Sequence, residues 1–207
     1  MNGKKFFAQL PKGFTYEDRN KIEWAYDFAK REHGEQMRDE GERYFNHPRR
    51  VALYFLKYKQ SLVYGSPVVL PEHIIAALLH DVVEDCWSPE GMIRRLFGEE
   101  VEKWVFGLSK KIPLFDKTSG YITRKKKIDT RKYLKNLVKT GTDVECIIKM
   151  CDRLDNVRTM SKAWTSKEQF EYIEETKLML KIFGRFYDTT IYLDLEKEVV
   201  KTLKRLK

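Results

Sequence analysis

Four ionisable residues lie within or directly after an apolar stretch near the middle of the chain: His80, Asp81, Glu84 and Asp85. The stretch Ile74–Val83 predicts a helix buried in a core, where an unpartnered neutral polar group costs about 2–7 kcal/mol and a charge costs more. Residues four apart share a helix face, which pairs His80 with Glu84 and Asp81 with Asp85. The first two residues could reach one cation, and the two carboxylates a turn later could act on water. We favour this over a satisfied core histidine beside surface acids.

His47 and Asp152 are further candidates for cation binding. His47 opens a predicted helix after a glycine-containing loop, so a ring nitrogen could point into a cleft; capping or packing is its alternative role. Asp152 lies on the helical stripe Ile148–Asp152–Asn156–Thr159, which runs from apolar into polar residues. Its carboxylate either binds metal or forms a salt bridge, with Arg153 or Arg158 as candidate partner. Local sequence alone favours the salt bridge.

The other histidines and the cysteines carry no comparable signal. His33 and His73 lie in polar or edge contexts. The cysteines are odd in number, lack Cys-x-x-Cys spacing and lie in apolar helical contexts: Cys86, Cys146 and Cys151. This pattern predicts reduced core thiols and neither disulfides nor a zinc site.

Length and composition favour one domain, or at most two small ones, with a sizeable core. The chain has 207 residues, 42% of them hydrophobic, and no apolar segment of membrane-spanning length. Its basic N-terminus is followed by no apolar run of signal-peptide length, which predicts a soluble, cytoplasmic protein. The net charge of +9 favours an anionic partner such as a nucleotide, polyphosphate or nucleic acid, without choosing among them.

Helical periodicity runs through most of the chain, and strand-like alternation is nearly absent. The predicted helices are Thr15–Glu32, one from His47 through Leu56, one from Pro71, one from Ser88-Pro89-Glu90 to Phe97, Val101–Leu108, Thr130–Lys139, Val144–Met160, Ser166–Phe183 and Tyr187–Lys207. Between them, His33–Asn46 is predicted to be a loop, Val63–Leu70 a connector and Lys110–Asp129 an irregular basic stretch. The pattern predicts an all-α domain of roughly eight to ten helices, with no marked domain boundary.

Four segments in order resemble the successive motifs of HD-domain phosphohydrolases, specifically the hydrolase domain of the Rel/Spo alarmone enzymes. They are the loop from Gly34 to Pro48, His47-Pro48 itself, His80-Asp81-Val-Val-Glu84-Asp85, and Lys149-Met-Cys-Asp152-Arg-Leu-Asp-Asn156-Val-Arg158-Thr159. The similarity runs from about Ile22 to Phe183. The resemblance implies a single HD-type helical bundle over residues 1–207. Because the chain ends soon after the hydrolase-like part, it looks like a stand-alone small alarmone hydrolase.

The resemblance also implies a metal site and a catalytic pair. The implied metal ligands are His47, His80, Asp81 and Asp152. Two imidazoles and two carboxylates suit one divalent ion such as Mn²⁺, which this family uses. Glu84 and Asp85 match the pair that activates or positions the attacking water.

The implied substrate-binding residues are Arg38, which matches a residue that packs on the nucleobase, and Asn156 and Thr159, which match residues that line the nucleotide pocket. The chain departs from the family pattern without losing a ligand or the catalytic pair. Cys86 stands where Thr commonly follows Glu-Asp, Arg43 interrupts the usual Gly-x-Pro-Tyr, and Asp155 stands where His is common. We expect Arg43 and Asp155 to change the charge near the pocket.

The implied reaction removes the 3′-pyrophosphate from guanosine 3′-diphosphate 5′-di- or triphosphate, (p)ppGpp, by attack of metal-activated water. The stretch Lys110–Lys127 either neutralises the outgoing phosphates or is a solvated basic loop. An adenine alarmone or the 2′-phosphate of NADPH would suit the same chemistry. A nucleic-acid-binding module is disfavoured, because 40 Lys and Arg are interspersed with 31 Asp and Glu and no recognition motif occurs. No membrane partner is expected, and a homo-oligomer is compatible with the sequence.

Overall fold

Threonine capping boxes start three of the long helices. In each, the threonine hydroxyl accepts from the backbone N–H three residues later, and the acidic side chain at that position accepts from the threonine N–H. The capping threonines are Thr15, Thr142 and Thr165. Because these signals are local, the helix starts lie within about one residue of the sequence prediction.

The computed structural model describes residues 3–59, 69–86, 91–160 and 164–206. Its elements are α1 (Gly3–Phe7), α2 (Tyr16–His33), α3 (Asn46–Tyr58), α4 (Pro71–Leu79), α5 (Val82–Asp85), α6 (Met92–Phe97), α7 (Glu99–Leu108), β1 (Lys111–Phe115), β2 (Ile122–Lys127), α8 (Thr130–Thr140), α9 (Asp143–Thr159), α10 (Ser166–Ile182) and α11 (Thr190–Leu206). The all-α prediction is confirmed. The predicted helix start at Ser88-Pro89-Glu90 and most of the connector Val63–Leu70 lie outside the described residues.

The core joins the helices that carry the candidate residues. Helix α3 packs against α4 and α9, α2 lies along α4, and α11 packs against α9 and α10. Ile22, Phe55, Leu78, Ile148 and Leu195 contribute to this core and are fully buried. Among the described helices, none has the length and apolarity of a membrane span.

The apolar helix predicted through Val83 is interrupted at its first charged residues. Helix α4 ends at Leu79, and α5 begins at Val82. Nδ1 of His80 lies 2.9 Å from the carbonyl oxygen of Ala77, one of the carbonyls that the end of α4 leaves without a helical partner. The interruption places His80 and Asp81 between two helical segments instead of on one continuous helix face.

The stretch Lys110–Asp129 is not irregular throughout, as the sequence predicted, but contains an antiparallel hairpin. Strand β1 pairs with β2, with Lys111 opposite Lys127 and a register shift between Leu114 and Phe115. Only one residue of β2, Ile122, is buried, so the strand shows no alternation of apolar and polar residues. The prediction failed because this hairpin is mostly solvated. Its strand β1 contacts α5.

We expect Phe55→Ala to lower the free energy of unfolding by about 3–5 kcal/mol, because a fully buried ring is removed from between packed helices. Urea unfolding followed by circular dichroism measures this. The matched control is Phe170→Ala, since Phe170 is half exposed and its loss should change stability by only about 0.5 kcal/mol. Equal losses in the two variants would contradict the helix packing described above.

Candidate metal centre

Three parts of the fold bring four candidate ligands to one point. His47 lies in the first turn of α3, His80 and Asp81 lie between α4 and α5, and Asp152 lies on α9. Nε2 of His47 lies 3.2 Å from Oδ1 of Asp152 and 3.4 Å from Oδ2 of Asp81. Nε2 of His80 lies 3.2 Å from Oδ2 of Asp81 and 4.0 Å from Oδ1 of Asp152. Ligand atoms of His47, His80 and Asp152 all lie within 4.8 Å of one another.

Hydrogen bonds behind the two histidines fix which nitrogen faces this centre. Nδ1 of His80 donates to the Ala77 carbonyl, which can only accept. Nδ1 of His47 lies 2.7 Å from Oδ2 of Asp155 and donates to that carboxylate. In both neutral imidazoles the proton therefore lies on Nδ1. Both Nε2 lone pairs point at the carboxylates of Asp81 and Asp152.

This arrangement fits a bound cation. Nε2 of His80 is buried and makes no hydrogen bond within the described structure, although a carboxylate oxygen lies near it. Lone pairs that face carboxylate oxygens repel them unless a positive charge lies between. A proton or a metal ion can supply that charge. Two imidazole nitrogens with carboxylate oxygens form a donor set that divalent transition ions accept.

Without an ion, protons on the histidines supply the positive charge between these acceptor atoms. Burial opposes the charged form of His47, but hydrogen bonds to Asp152, Asp155 and Asp81 outweigh it and raise its pKa. Burial likewise opposes the charged form of His80, and the Asp81 carboxylate overcomes it and raises the pKa of His80. Burial alone would raise the pKa of Asp81 and Asp152. Nearby cations reverse this and hold both well below the usual range, chiefly His80 for Asp81 and Lys149 for Asp152.

Glu84 and Asp85 lie at the edge of the centre and are more exposed than the ligand candidates. Oε2 of Glu84 accepts from the backbone N–H of Lys110 at 2.9 Å. Oδ1 of Asp85 lies 2.9 Å from Nζ of Lys111, on strand β1. The hairpin therefore holds both carboxylates beside the centre without enclosing them.

Tyr44 joins the metal centre to this carboxylate pair. Its hydroxyl lies 2.6 Å from Oδ2 of Asp85 and 3.0 Å from Oδ2 of Asp81. Burial, together with these two carboxylates, raises the pKa of Tyr44, so the phenol stays a proton donor. The tyrosine ring stacks on His33, with ring centroids 4.7 Å apart. Sequence reasoning missed this role, although Tyr44 precedes His47 by three residues.

A cavity of about 350 Å³ opens above the centre. Its wall includes both Glu84 and Asp85 and the four cationic side chains Lys110, Lys111, Lys149 and Arg153. Residues 37–40, Trp164 and Tyr172 also line the cavity. The lining therefore combines cationic side chains near the carboxylate pair with Arg38 and aromatic rings.

Of the three predicted substrate-binding residues, Arg38 and Asn156 line the described cavity and Thr159 does not. Arg38 donates to Oδ1 of Asn156 at 2.7 Å and to the hydroxyl of Thr159 at 3.3 Å. Asn156 in turn donates to Oδ1 of Asp152 at 2.6 Å. Thr159 thus holds Arg38 from behind, and Asn156 links Arg38 to the candidate ligand on α9.

The predicted salt-bridge partners of Asp152 were wrong. Lys149, one turn earlier on α9 and buried, places Nζ 2.9 Å from Oδ2 of Asp152. Arg153 instead lies over the ring of Tyr172, at 4.1 Å from its centroid. Arg158 pairs with Glu198 at 3.2 Å, on α11. The three-residue spacing of Lys149 and Asp152 could have identified this pair.

The expected change of charge near the pocket is wrong for Arg43, which pairs with Glu35 on the surface and does not line the cavity. Asp155 does not line the cavity either, but its Oδ2 lies 3.9 Å from a terminal nitrogen of Arg38, which does, so its charge lies near the pocket. Asp155 also lies behind His47. His33 and His73 are buried, contrary to the polar or edge contexts predicted for them. The cysteine prediction is confirmed, since the structure has all three thiols free and buried.

Comparison with known proteins gives this geometry a context. A family model described as the HD domain matches residues 25–185. The guanosine-3′,5′-bis(diphosphate) 3′-pyrophosphohydrolase of Aquifex aeolicus is 38% identical over 149 residues, which cover 72% of this chain and 18% of that protein. A protein of Mycoplasma pneumoniae named as a probable enzyme of the same kind is 29% identical over 184 residues, which cover 88% and 24%. This chain thus spans about a fifth to a quarter of the length of these relatives.

A solved structure shares the fold. It is described as a metazoan ortholog of SpoT that hydrolyses ppGpp and plays a role in starvation responses. The two superpose with a TM-score of 0.67 over 87% of this chain and 94% of the other, at 22% sequence identity. At this identity the likeness establishes the helical fold.

We expect the affinity for a divalent ion to fall as the pH is lowered from neutrality. The pKa values of His47 and His80 lie above the ordinary histidine value in the ion-free protein, so an incoming ion must displace protons. Calorimetric titration with Mn²⁺ between about pH 6 and pH 8, in buffers of different ionisation enthalpy, measures affinity and proton release together. Binding that is independent of pH and releases no protons would contradict the assigned centre.

Proposed function

We propose that this chain, which belongs to the HD domain family, is a divalent-metal-dependent hydrolase that removes the 3′-pyrophosphate from (p)ppGpp. The observation that carries the proposal is the convergence of two imidazole nitrogens and two carboxylate oxygens beside a cavity whose lining includes lysine and arginine side chains. Relatives named for this activity support it. One continuous core, extending from α1 to α11, supports a single HD-type unit over residues 1–207.

His47, His80, Asp81 and Asp152 would hold the ion, for which we propose Mn²⁺. A mixed nitrogen and oxygen donor set without thiolates suits such an ion, and no described cysteine belongs to the ligand cluster. When bound, the ion supplies Lewis-acid chemistry, because it withdraws electron density from a phosphoryl oxygen and makes water more acidic.

Glu84 and Asp85 are the proposed proton acceptors. In the reaction, a water oxygen forms a bond to the phosphorus that carries the 3′-oxygen, and the bond between that phosphorus and the 3′-oxygen breaks. A proton of the water passes to the carboxylate pair, and the 3′-oxygen takes up a proton to regenerate the hydroxyl. The products are pyrophosphate and guanosine di- or triphosphate. The partial exposure of the pair allows proton exchange with solvent.

The lysines of the cavity wall would neutralise the departing pyrophosphate. Lys111 already pairs with Asp85, and Lys149 pairs with Asp152, so each lysine lies next to a residue with a proposed role in the reaction. Cations in such a position stabilise negative charge that builds up on phosphoryl oxygens. Of the two readings of the basic stretch, this geometry favours phosphate neutralisation for Lys110 and Lys111, which line the cavity. It favours a solvated surface for the exposed Arg124 and Lys126.

Arg38 is the proposed contact for the nucleobase, and Asn156 and Thr159 hold it in place. Asn156, Thr159 and Glu40 accept from the edges of its guanidinium, and Oδ2 of Asp155 lies 3.9 Å from a terminal nitrogen, so contact with a planar ring would be through its flat faces. Trp164, on the same wall, donates to Oδ2 of Asp39 at 2.9 Å and so fixes the aromatic side of the cavity. A purine could lie between these planar groups.

We expect the protein with Mn²⁺ to release pyrophosphate from guanosine tetraphosphate and to lose this activity on chelation. An assay that separates phosphate from pyrophosphate should include an adenine alarmone and NADPH, because the metal chemistry would also act on them. If the protein prefers either of these two nucleotides, its metal site serves a substrate other than (p)ppGpp. Failure of the wild type to bind metal and to release pyrophosphate would overturn the proposal.

We expect Glu84→Gln to keep metal affinity and to lower turnover by about 10²–10⁴-fold, because it removes a proton acceptor and no ligand. His80→Ala should lose both metal affinity and turnover. Calorimetry with Mn²⁺ and the pyrophosphate assay separate the two effects. The control is Glu102→Gln, since Glu102 pairs with Arg94 away from the cavity and its change should affect neither. Equal loss of metal in Glu84→Gln and His80→Ala would place Glu84 among the ligands.

A further inference from the structure

Asp155 stands directly behind His47, on the side away from the cavity. Its carboxylate is completely buried, and its Oδ2 lies 2.7 Å from Nδ1 of His47. The two residues are far apart in the sequence and meet where α3 packs on α9. A buried carboxylate with no access to the cavity cannot contact a substrate, so its chemistry must act on its neighbours.

Arg50 and Glu42 hold Asp155 in place. Arg50 donates from Nε to Oδ1 of Asp155 at 2.7 Å, and a second nitrogen donates to Oδ2 at 2.9 Å. The remaining terminal nitrogen of Arg50 donates to Oε2 of Glu42 at 2.8 Å. A two-point guanidinium–carboxylate pair fixes the plane of the carboxylate as well as its position. The result is a chain of contacts from Glu42 through Arg50 and Asp155 to the ring of His47.

The Nδ1 contact of the His47 ring is to a residue of another helix, Asp155 on α9. A hydrogen bond at Nδ1 restrains the direction in which Nε2 points. His80 has a neutral carbonyl as its partner at Nδ1, whereas His47 has a carboxylate. A carboxylate in this position fixes the tautomer and makes the opposite nitrogen a stronger donor to a metal.

We propose that Asp155 is a positioning residue that aims Nε2 of His47 at the metal centre and sets the affinity for the ion, with Arg50 and Glu42 holding its carboxylate in register. This rests on the proposed function only in taking His47 as a ligand. The competing explanation is a buried ion pair between Asp155 and Arg50 that merely joins α9 to α3. That explanation predicts a change in stability without a change at Nε2.

The test compares Asp155→Asn with wild type in three measurements: Mn²⁺ affinity by calorimetry, thermal unfolding, and the tautomer of His47 by nitrogen NMR of the metal-free protein at a pH high enough for its ring to be neutral. We expect affinity to fall by about 10–100-fold and the Nδ1–H form of His47 to lose population. The matched control is Asp143→Asn. Asp143 lies at the start of α9, the helix that also carries Asp155, and its carboxylate pairs with Arg185. This variant should leave affinity and tautomer unchanged.

A second variant keeps the test decisive if Asp155→Asn does not fold. Arg50→Lys retains the carboxylate and the positive charge but loses the two-point contact, so affinity should fall by less than in Asp155→Asn but measurably. Wild-type affinity and tautomer in both folded variants would overturn the positioning role while leaving the proposed hydrolase intact. Metal binding that depends on Asp155 in a protein that does not hydrolyse (p)ppGpp would support this role and overturn the proposed substrate. Absence of metal binding in the wild type would overturn both.

Discussion

Mutual repulsion among buried acceptor atoms is the constraint on which this structure depends. Two imidazole nitrogens and two carboxylate oxygens meet in a region from which water is largely excluded, at separations of 3.2–4.0 Å. Burying such groups without compensation costs several kcal/mol each, on the order of the whole stability of a domain. Lys149 and Asp155 compensate the atoms that face away from the centre, and Asn156 and Tyr44 contact the carboxylate oxygens that face it. Nε2 of His80 has no hydrogen-bond partner within the described residues and faces the same carboxylates as Nε2 of His47, as expected of a site built for a cation.

The interruption between α4 and α5 separates two kinds of carboxylate. Asp81 lies before α5 and is buried against both histidines, while Glu84 and Asp85 lie within α5 and remain partly exposed. Asp81 and Asp85 differ in depth and not in direction, because the hydroxyl of Tyr44 contacts both carboxylates. Greater burial gives Asp81 the environment of a ligand. The carboxylate pair after it stays in contact with water, as proton transfer requires.

The sequence predicted best what is encoded locally. Helical periodicity predicted the helices, whose starts the capping threonines fix in the structure, and the four ordered motifs identified the ligand candidates. Sequence reasoning failed where a contact joins segments that are distant in the chain. The pair of Asp155 with His47 spans more than a hundred residues, and no local pattern marks it. The hairpin was missed for another reason, since solvated strands lack the alternation by which strands are recognised. The partner of Asp152 was within reach, because Lys149 lies one helical turn away.

The hairpin shows how one basic segment can have two physical roles. Lys125 donates to the carbonyl oxygens of Glu84 at 2.9 Å and Cys86 at 2.6 Å, and the Lys110 N–H donates to the Glu84 carboxylate. These bonds occupy the backbone and side chains around α5, a helix of only four residues that has little stability of its own. The segment that looked like a solvated loop is therefore what keeps the carboxylate pair in position. Its lysines thus stabilise the fold around α5, independently of any contact with phosphate.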